Sequence, residues 1–239
     1  MGSVKQKSLK EMYQENPQKL FLKILKGMLP KNNLRDQLLK IERAGRTSYQ
    51  SERGPVTIES ATKFAQMLIR RGHESVLEHS SMSVKFLDNS IGMTRELNRH
   101  RISSITEEST RYVDNSEMRF IFPAHKDINQ RVDLLDGSGL QMTPVQMADN
   151  IELYYRSLRG GGWVPEEARS FLPLGLNSEE VFTANWREWR HIFELRTAKP
   201  SHFEIRNTMV AVLKKCQKIL PGIFDDFQYK GTDAKGYPL

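Results

Sequence analysis

The chain has 239 residues, with 36 Lys or Arg against 29 Asp or Glu, and a formal net charge of +7. Such a length suits one sizeable domain with a real hydrophobic interior, and the basic balance predicts anionic company: nucleic acid, a membrane surface or a phosphorylated small molecule. The single cysteine, Cys216, excludes an internal disulfide framework and a cysteine-rich zinc site, and the apolar runs are too short to span a membrane.

The polar opening, MGSVKQKS, does not read as a secretory leader, so a soluble, cytoplasmic protein is expected. Residues 8–29 read as a helix that breaks at Pro30 and the polar stretch 31–33. Within TIESATKFAQMLIRRG, Ala61, Phe64, Ala65, Leu68 and Ile69 recur at helical spacing, and Gly72 stands where the helix would stop. SMSVKF alternates Met82, Val84 and Phe86 with Ser81, Ser83 and Lys85, the period of a half-buried strand. MRFIFP repeats that pattern more briefly, and residues 125–150 read as a polar, turn-rich surface excursion. VFTANWREWRHIFELR reads as helix, with Trp186, Trp189, Phe193 and Leu195 packed and Arg187, His191 and Arg196 presented. In the last helix Ser201 and Glu204 have capping-box spacing, and Ile205, Met209, Val212, Leu213 and Cys216 form a buried stripe. Many helices and few strands predict an α+β fold, with helices packed on a small, mainly antiparallel sheet.

Several chemistries drop out on spacing. HESVLEH places His73 and His79 six apart, whereas a zincin needs its second histidine where Leu77 stands, so no metal is expected. Neither a G-x-G-x-x-G nor a G-x-x-x-x-G-K-[ST] run occurs, so side chains and helix ends must hold any nucleotide. His100 with Ser104 or Ser109 has the makings of a hydrolase pair, but no G-x-S-x-G elbow exposes a nucleophile.

What remains is NRHRISSITEESTRY, residues 98–112, where arginines, a histidine, serines and two glutamates crowd together. Arginines make forked contacts to phosphate oxygens, and Ser104 and Ser109 add neutral donors. A site made for phosphate alone would gain nothing from Glu107 and Glu108. A carboxylate among arginines orients them, or accepts from a sugar hydroxyl or a base edge, so the segment points to a nucleotide; the plainer alternative is that one of the two only neutralises a neighbour.

Arg99, His100, Arg101, Ser104, Ser109 and Arg111 reproduce the RHRxxSxxxxSxR signature, in which this chain resembles the flavin-dependent thymidylate synthases. HESVLEH, GRTSY at 45–49, ARSFLP at 168–173, NWREWRHIFELR at 185–196 and FEIR at 203–206 are similar to further elements of that family. The resemblance implies a catalytic domain over 36–228, preceded by a helical extension over 1–35 and followed by a tail over 229–239. It implies reductive methylation of dUMP to dTMP, with methylenetetrahydrofolate as carbon donor, FAD as hydride carrier and NADPH as reductant. For dUMP it implies Glu96, Arg99, Glu107, Glu108, Ser109, Thr110, Arg111, Arg169 and Arg196. For FAD it implies Ser48, Ser75, Arg99, His100, Arg101, Glu107, Asn185, Arg187 and His191. Arg196 is the implied catalytic residue, a guanidinium that stabilises the uracil anion, and Ser109 is a hydrogen-bond donor rather than a nucleophile. A homotetramer is implied too, its pockets combining Arg99 and Arg169 of one chain with Glu107 to Arg111 and Arg196 of another. Thr106 and the pair Ser201 and His202 depart from the usual pattern without touching the arginines. The rival readings are a non-catalytic basic nucleic-acid binder and an RNA-binding or regulatory protein on the same fold.

Overall fold

The computed structural model of the protein describes residues 31–51, 54–228 and 231. The helix expected over 8–29, and the 229–239 tail apart from residue 231, lie outside them. Helix α1 (Lys31–Tyr49) takes the polar stretch expected to break a helix into its first turn and runs on across residue 35. Helix α2 (Ile58–Arg70) begins at a capping box between Thr57 and Ser60, buries Ala61, Ala65 and Leu68, and is followed by Gly72 in the left-handed region at φ +70°. The two helices approach closely, for a Cβ on Gly45 would stand 2.4 Å from the Phe64 ring.

A 3-10 turn over Glu74–His79 leads into β1 (Ser81–Ser90), which buries Met82, Val84 and Phe86 as the alternation predicts. Ser90 then caps the short helix α3 (Ile91–Leu97), its Oγ accepting from Met93 N–H at 3.0 Å. Strand β2 (Ser103–Glu107) carries the middle of the arginine-rich segment. MRFIFP forms no strand: Phe120 makes a single bridge to Leu176, while Met118 and Phe120 bury beside Ala148 and Tyr155. The 125–150 excursion contains the two-residue strands β3 (Val132–Asp133) and β4 (Gln141–Met142) and the start of α4 (Pro144–Gly160). Thr143 and Gln146 form a capping box there with Pro144 in the first turn, a start signal that was legible.

Helix α5 (Pro165–Ala168) and a 3-10 turn over Arg169–Phe171 precede β5 (Asn177–Asn185), whose second half, residues 181–185, the sequence predicts as the start of a helix. Strand β5 is the centre of the sheet, antiparallel to β1 on one side and β2 on the other. Its inward positions are Ser178, Glu180, Phe182 and Ala184, so half of the buried face is polar and the period-two hydrophobic signal is weak. Helix α6 (Trp186–Arg196) buries Trp186, Trp189 and Phe193 but leaves Leu195 46% exposed, against expectation. Helix α7 (Phe203–Ile219) buries the whole predicted stripe, Cys216 included, at 1% exposure.

The expected capping box at Ser201 and Glu204 does not form. Ser201 Oγ donates to the Leu195 carbonyl at 2.6 Å, and Glu204 accepts from Ser90 N–H at 2.7 Å and Ser90 Oγ at 2.6 Å, tying α7 to the β1–α3 junction. No helix among the described residues is long and apolar enough to cross a membrane.

Candidate active site

The turn between α3 and β2 drops His100 into the interior and leaves Arg99 and Arg101 exposed. His100 meets helix α6 on both ring nitrogens. Arg196 Nε stands 2.9 Å from Nε2, and Glu188 Oε1 lies 3.3 Å from Nδ1. Because the guanidinium Nε carries a hydrogen, Nε2 must accept; the imidazole proton therefore sits on Nδ1 and is donated to Glu188. Burial, then the Arg196 charge, then His191 hold the His100 pKa down to about 4. Burial pushes the Glu188 carboxyl up, with His191 drawing it partly back.

The rest of the Arg196 guanidinium is fixed from α3. Nη1 donates to Glu96 Oε2 and Nη2 to the Glu96 carbonyl, both at 2.8 Å. Three of the five N–H groups of Arg196 are thus taken, leaving two for a ligand. His100, Glu188 and His191 lie close enough to gather around a cation. A metal on His100 Nδ1 would force the proton onto Nε2 and break the bond from Arg196, so the grouping reads as a hydrogen-bonded chain.

That chain makes pH dependence definite. The unfolded state binds a proton on His100 below its ordinary value of 6.5, which the folded state refuses until about pH 4. The unfolded state holds more protons in that window, so the contribution of His100 is present above it and is lost as pH falls through it. Thermal unfolding followed from pH 7 to 4 should show a shallower loss of stability in His100→Gln than in the unaltered protein. Equal slopes would mean that the imidazole is not held neutral.

A cleft of about 550 Å³ opens beside this chain, lined by Asn185, Arg187, Glu188 and His191 of the β5–α6 junction, Glu74 and Glu78 of the 3-10 turn, and Ile102. Asn185 caps α6 by accepting from Glu188 N–H at 2.8 Å, which aims the first turn at the opening. Arg187 pairs with Glu78 at 2.6 Å. Arg190 also lines the cleft, but its guanidinium is committed to Asp226 and Glu74 and anchors the segment after α7. Ser75 lies exposed on the turn that supplies Glu74 and Glu78, and Ser48 is exposed on the last turn of α1; neither lines the cleft.

The remaining predicted residues fall into two groups. Glu107, at the end of β2, accepts from Thr94 Oγ1 at 2.7 Å and Ser178 Oγ at 3.1 Å. Glu108 N–H donates to the Glu179 carbonyl at 2.8 Å, which holds the chain as it leaves the sheet toward Thr110. Ser109 Oγ accepts from Arg111 N–H at 3.3 Å and keeps its own proton to give. Arg111 pairs with Glu166 at 2.9 Å, three residues before the exposed Arg169. Glu188, Glu180, Asn98 and Thr94, which sequence reasoning passed over, hold the predicted residues in place. Asn98 opens the segment 98–112 and Glu188 lies inside NWREWRHIFELR, while no local signal marks Thr94 or Glu180.

The family model for thymidylate synthase complementing proteins matches residues 32–222. Curated relatives named flavin-dependent thymidylate synthase include one from Mycobacterium sp. (strain JLS), 30% identical over 218 residues, covering 83% of this chain and 85% of the relative. Another, from Mycobacterium tuberculosis (strain ATCC 25177 / H37Ra), is 30% identical over 212 residues, covering 83% of this chain and 84% of its own. One from Mycobacterium avium (strain 104) is 29% identical over the same length. With the arginine-rich turn, the fixed Arg196 and a match over most of its length, the chain belongs to the family of thymidylate synthase complementing proteins, the flavin-dependent thymidylate synthases.

Proposed function

We propose that the chain converts dUMP to dTMP by reductive methylation, taking its carbon from methylenetetrahydrofolate and its reducing equivalents from NADPH. The observation that carries this reading is the Arg196 guanidinium, held on three sides with two N–H groups left over. Those two groups suit a uracil carbonyl and the adjacent ring nitrogen. When N3 gives up its proton, the fixed positive charge stabilises the anion and keeps electron density at C5, where the new carbon bond forms. Arginine does not titrate, so it acts by charge and not as a base.

The cleft residues fit a flavin. Arg187 and His191 supply donors, Ile102 is 67% exposed and gives an apolar face, and Glu74 and Glu78 accept from hydroxyls. Arg99 and Arg101, exposed and without an ion pair among the described residues, suit its phosphates. FAD, when bound, supplies hydride chemistry between NADPH and the one-carbon unit. Ser109 donates to the nucleotide, Glu107 accepts from it, and Glu96, Glu108, Thr110, Arg111 and Arg169 complete its pocket.

A homotetramer with shared pockets is part of the proposal, as are a cytoplasmic location and a catalytic domain over 36–228. The exposed cluster of Tyr154, Trp163 and Phe171, on the side that carries Arg169, supports a face covered by another chain. A nucleic-acid binder would gain nothing from the hydrogen-bonded chain of His100, Arg196 and Glu96, and no observation favours that reading.

Purified protein incubated with FAD and desalted should keep an oxidised-flavin absorption band. Supplied with NADPH and methylenetetrahydrofolate, it should turn dUMP into dTMP. A colourless protein at every salt concentration tried would overturn the proposal.

A further inference from the structure

The bond from Arg196 to His100 holds only while the imidazole proton stays off Nε2, and the residue that keeps it off is among none of the proposed dUMP or flavin contacts. Glu188 stands in the first turn of α6 and Arg196 in the last, and they meet the buried His100 ring from its two ends. Arg196 Nε lies 2.9 Å from Nε2, and Glu188 Oε1 lies 3.3 Å from Nδ1. A ring turned over would set a carbon against each partner, so this orientation alone satisfies both. The nearby His191 ring stands edge-on with centroids 5.7 Å apart and gives His100 no hydrogen bond. Glu188 is therefore the acceptor on which Nδ1–H depends. Without it a buried N–H would be left unpaired, a penalty the ring escapes by turning away or by carrying its proton on Nε2. Either escape takes the acceptor from Arg196 Nε.

We infer that Glu188 is a positioning residue for Arg196: by accepting from His100 Nδ1–H it keeps Nε2 bare, and Nε2 then holds the guanidinium in place beside the uracil. This deepens the reading of Arg196 as the group that stabilises the uracil anion, and rests on it. The role needs only an acceptor oxygen, which an ionised and a neutral carboxyl both offer. Glu188 is itself fixed, because its N–H donates to the Asn185 side chain at 2.8 Å. Glu96 holds the other edge of the guanidinium through Nη1 and Nη2. With His100 lost, the plane can swing about Glu96.

Two measurements on the full chain loaded with FAD test this. They compare Glu188→Met, which is close in size but offers no oxygen, with Glu188→Gln, whose amide oxygen accepts. Nitrogen NMR spectra of histidine-labelled protein at neutral pH, with the His100 signals assigned by their loss in His100→Gln, should show a proton on Nδ1 and none on Nε2. Glu188→Gln should keep that tautomer, and Glu188→Met should carry the proton on Nε2 in part or in full. Glu188 also lines the cleft, so turnover is taken per bound flavin. Glu188→Met should then lower kcat about tenfold, the loss of one hydrogen bond from a charged donor, with the KM for dUMP little changed. Glu188→Gln should bring kcat back to within about threefold of the unaltered protein. A side chain that only fills space would be replaced by Met without moving either reading.

A His100 proton on Nε2 in the unaltered protein, an unmoved tautomer or an unmoved kcat in Glu188→Met, or a kcat in Glu188→Gln as low as in Glu188→Met would each overturn the inference. If the unaltered protein makes no dTMP, the inference falls together with the functional reading. If it makes dTMP and any of those results is found, the role of Glu188 alone is wrong.

Discussion

Arg196→Lys should lower the turnover of dUMP by about 10²–10³-fold, the loss that follows removal of a pre-organised charge donor from a reacting centre. Lysine keeps the charge but not the shape. The arginine reaches His100 through Nε at 2.9 Å while its two terminal nitrogens hold Glu96 at 2.8 Å, and all three donors belong to one planar guanidinium. A single ammonium on a flexible stem cannot satisfy all three and still present two N–H groups to a uracil. The cleft proposed for the flavin is lined from Asn185, Arg187 and His191 and does not include Arg196, so the bound-flavin spectrum should persist. Steady-state kinetics at saturating dUMP, with flavin content measured on the same sample, checks both halves. A kcat within about threefold of the unaltered protein would show that charge alone suffices and that the fixed plane is irrelevant.

Arg169→Ala and Arg196→Ala should each be nearly inactive alone, yet an equal mixture of the two, reassembled, should recover about a quarter of the pockets. The arithmetic follows from a shared pocket. If Arg169 comes from one chain and Arg196 from another, each contributing chain is the intact one half of the time, and both are intact in about one pocket of four. Arg169 stands exposed on the turn after α5, without an ion pair among the described residues, as a residue waiting for another chain would. A mixture of Arg111→Ala and Arg196→Ala is the control. Those two residues are proposed to serve a pocket from the same chain, and no activity should return. The pairing of Arg111 with Glu166, close to Arg169 in the same protomer, makes this control demanding. If subunits demonstrably exchange and the first mixture stays inactive, the shared-pocket arrangement is wrong.

Local periodicity made much of the scaffold legible. Ala61, Ala65 and Leu68 bury at helical spacing, Met82, Val84 and Phe86 at strand spacing, and the α7 stripe down to Cys216 lies in the core as read. The arginine-rich turn was also legible, because the residue types and spacing of residues 99–111 are a local property of the chain. Strand β5 was not. Its inward face carries Ser178 and Glu180 where an ordinary strand carries aliphatic residues, and those polar positions are the ones that support Glu107. A rule based on apolar repetition fails where a strand spends its buried face on hydrogen bonds. In the same way Glu204 has the spacing of a helix cap, yet it accepts from Ser90, which lies 114 positions away in the chain.

Sequence by itself determined which side chains are available and which face of each element is apolar, since both depend on neighbours within a few residues. Tertiary structure decided their partners: that Arg196 reaches His100 and Glu96 across 96 and 100 positions of chain, and that Asn98 stands between two carboxyl groups. The physical reason is that a buried polar atom must find a partner wherever the fold supplies one, and that choice depends on the packing of β5, α3 and α6 together, not on spacing along any one of them.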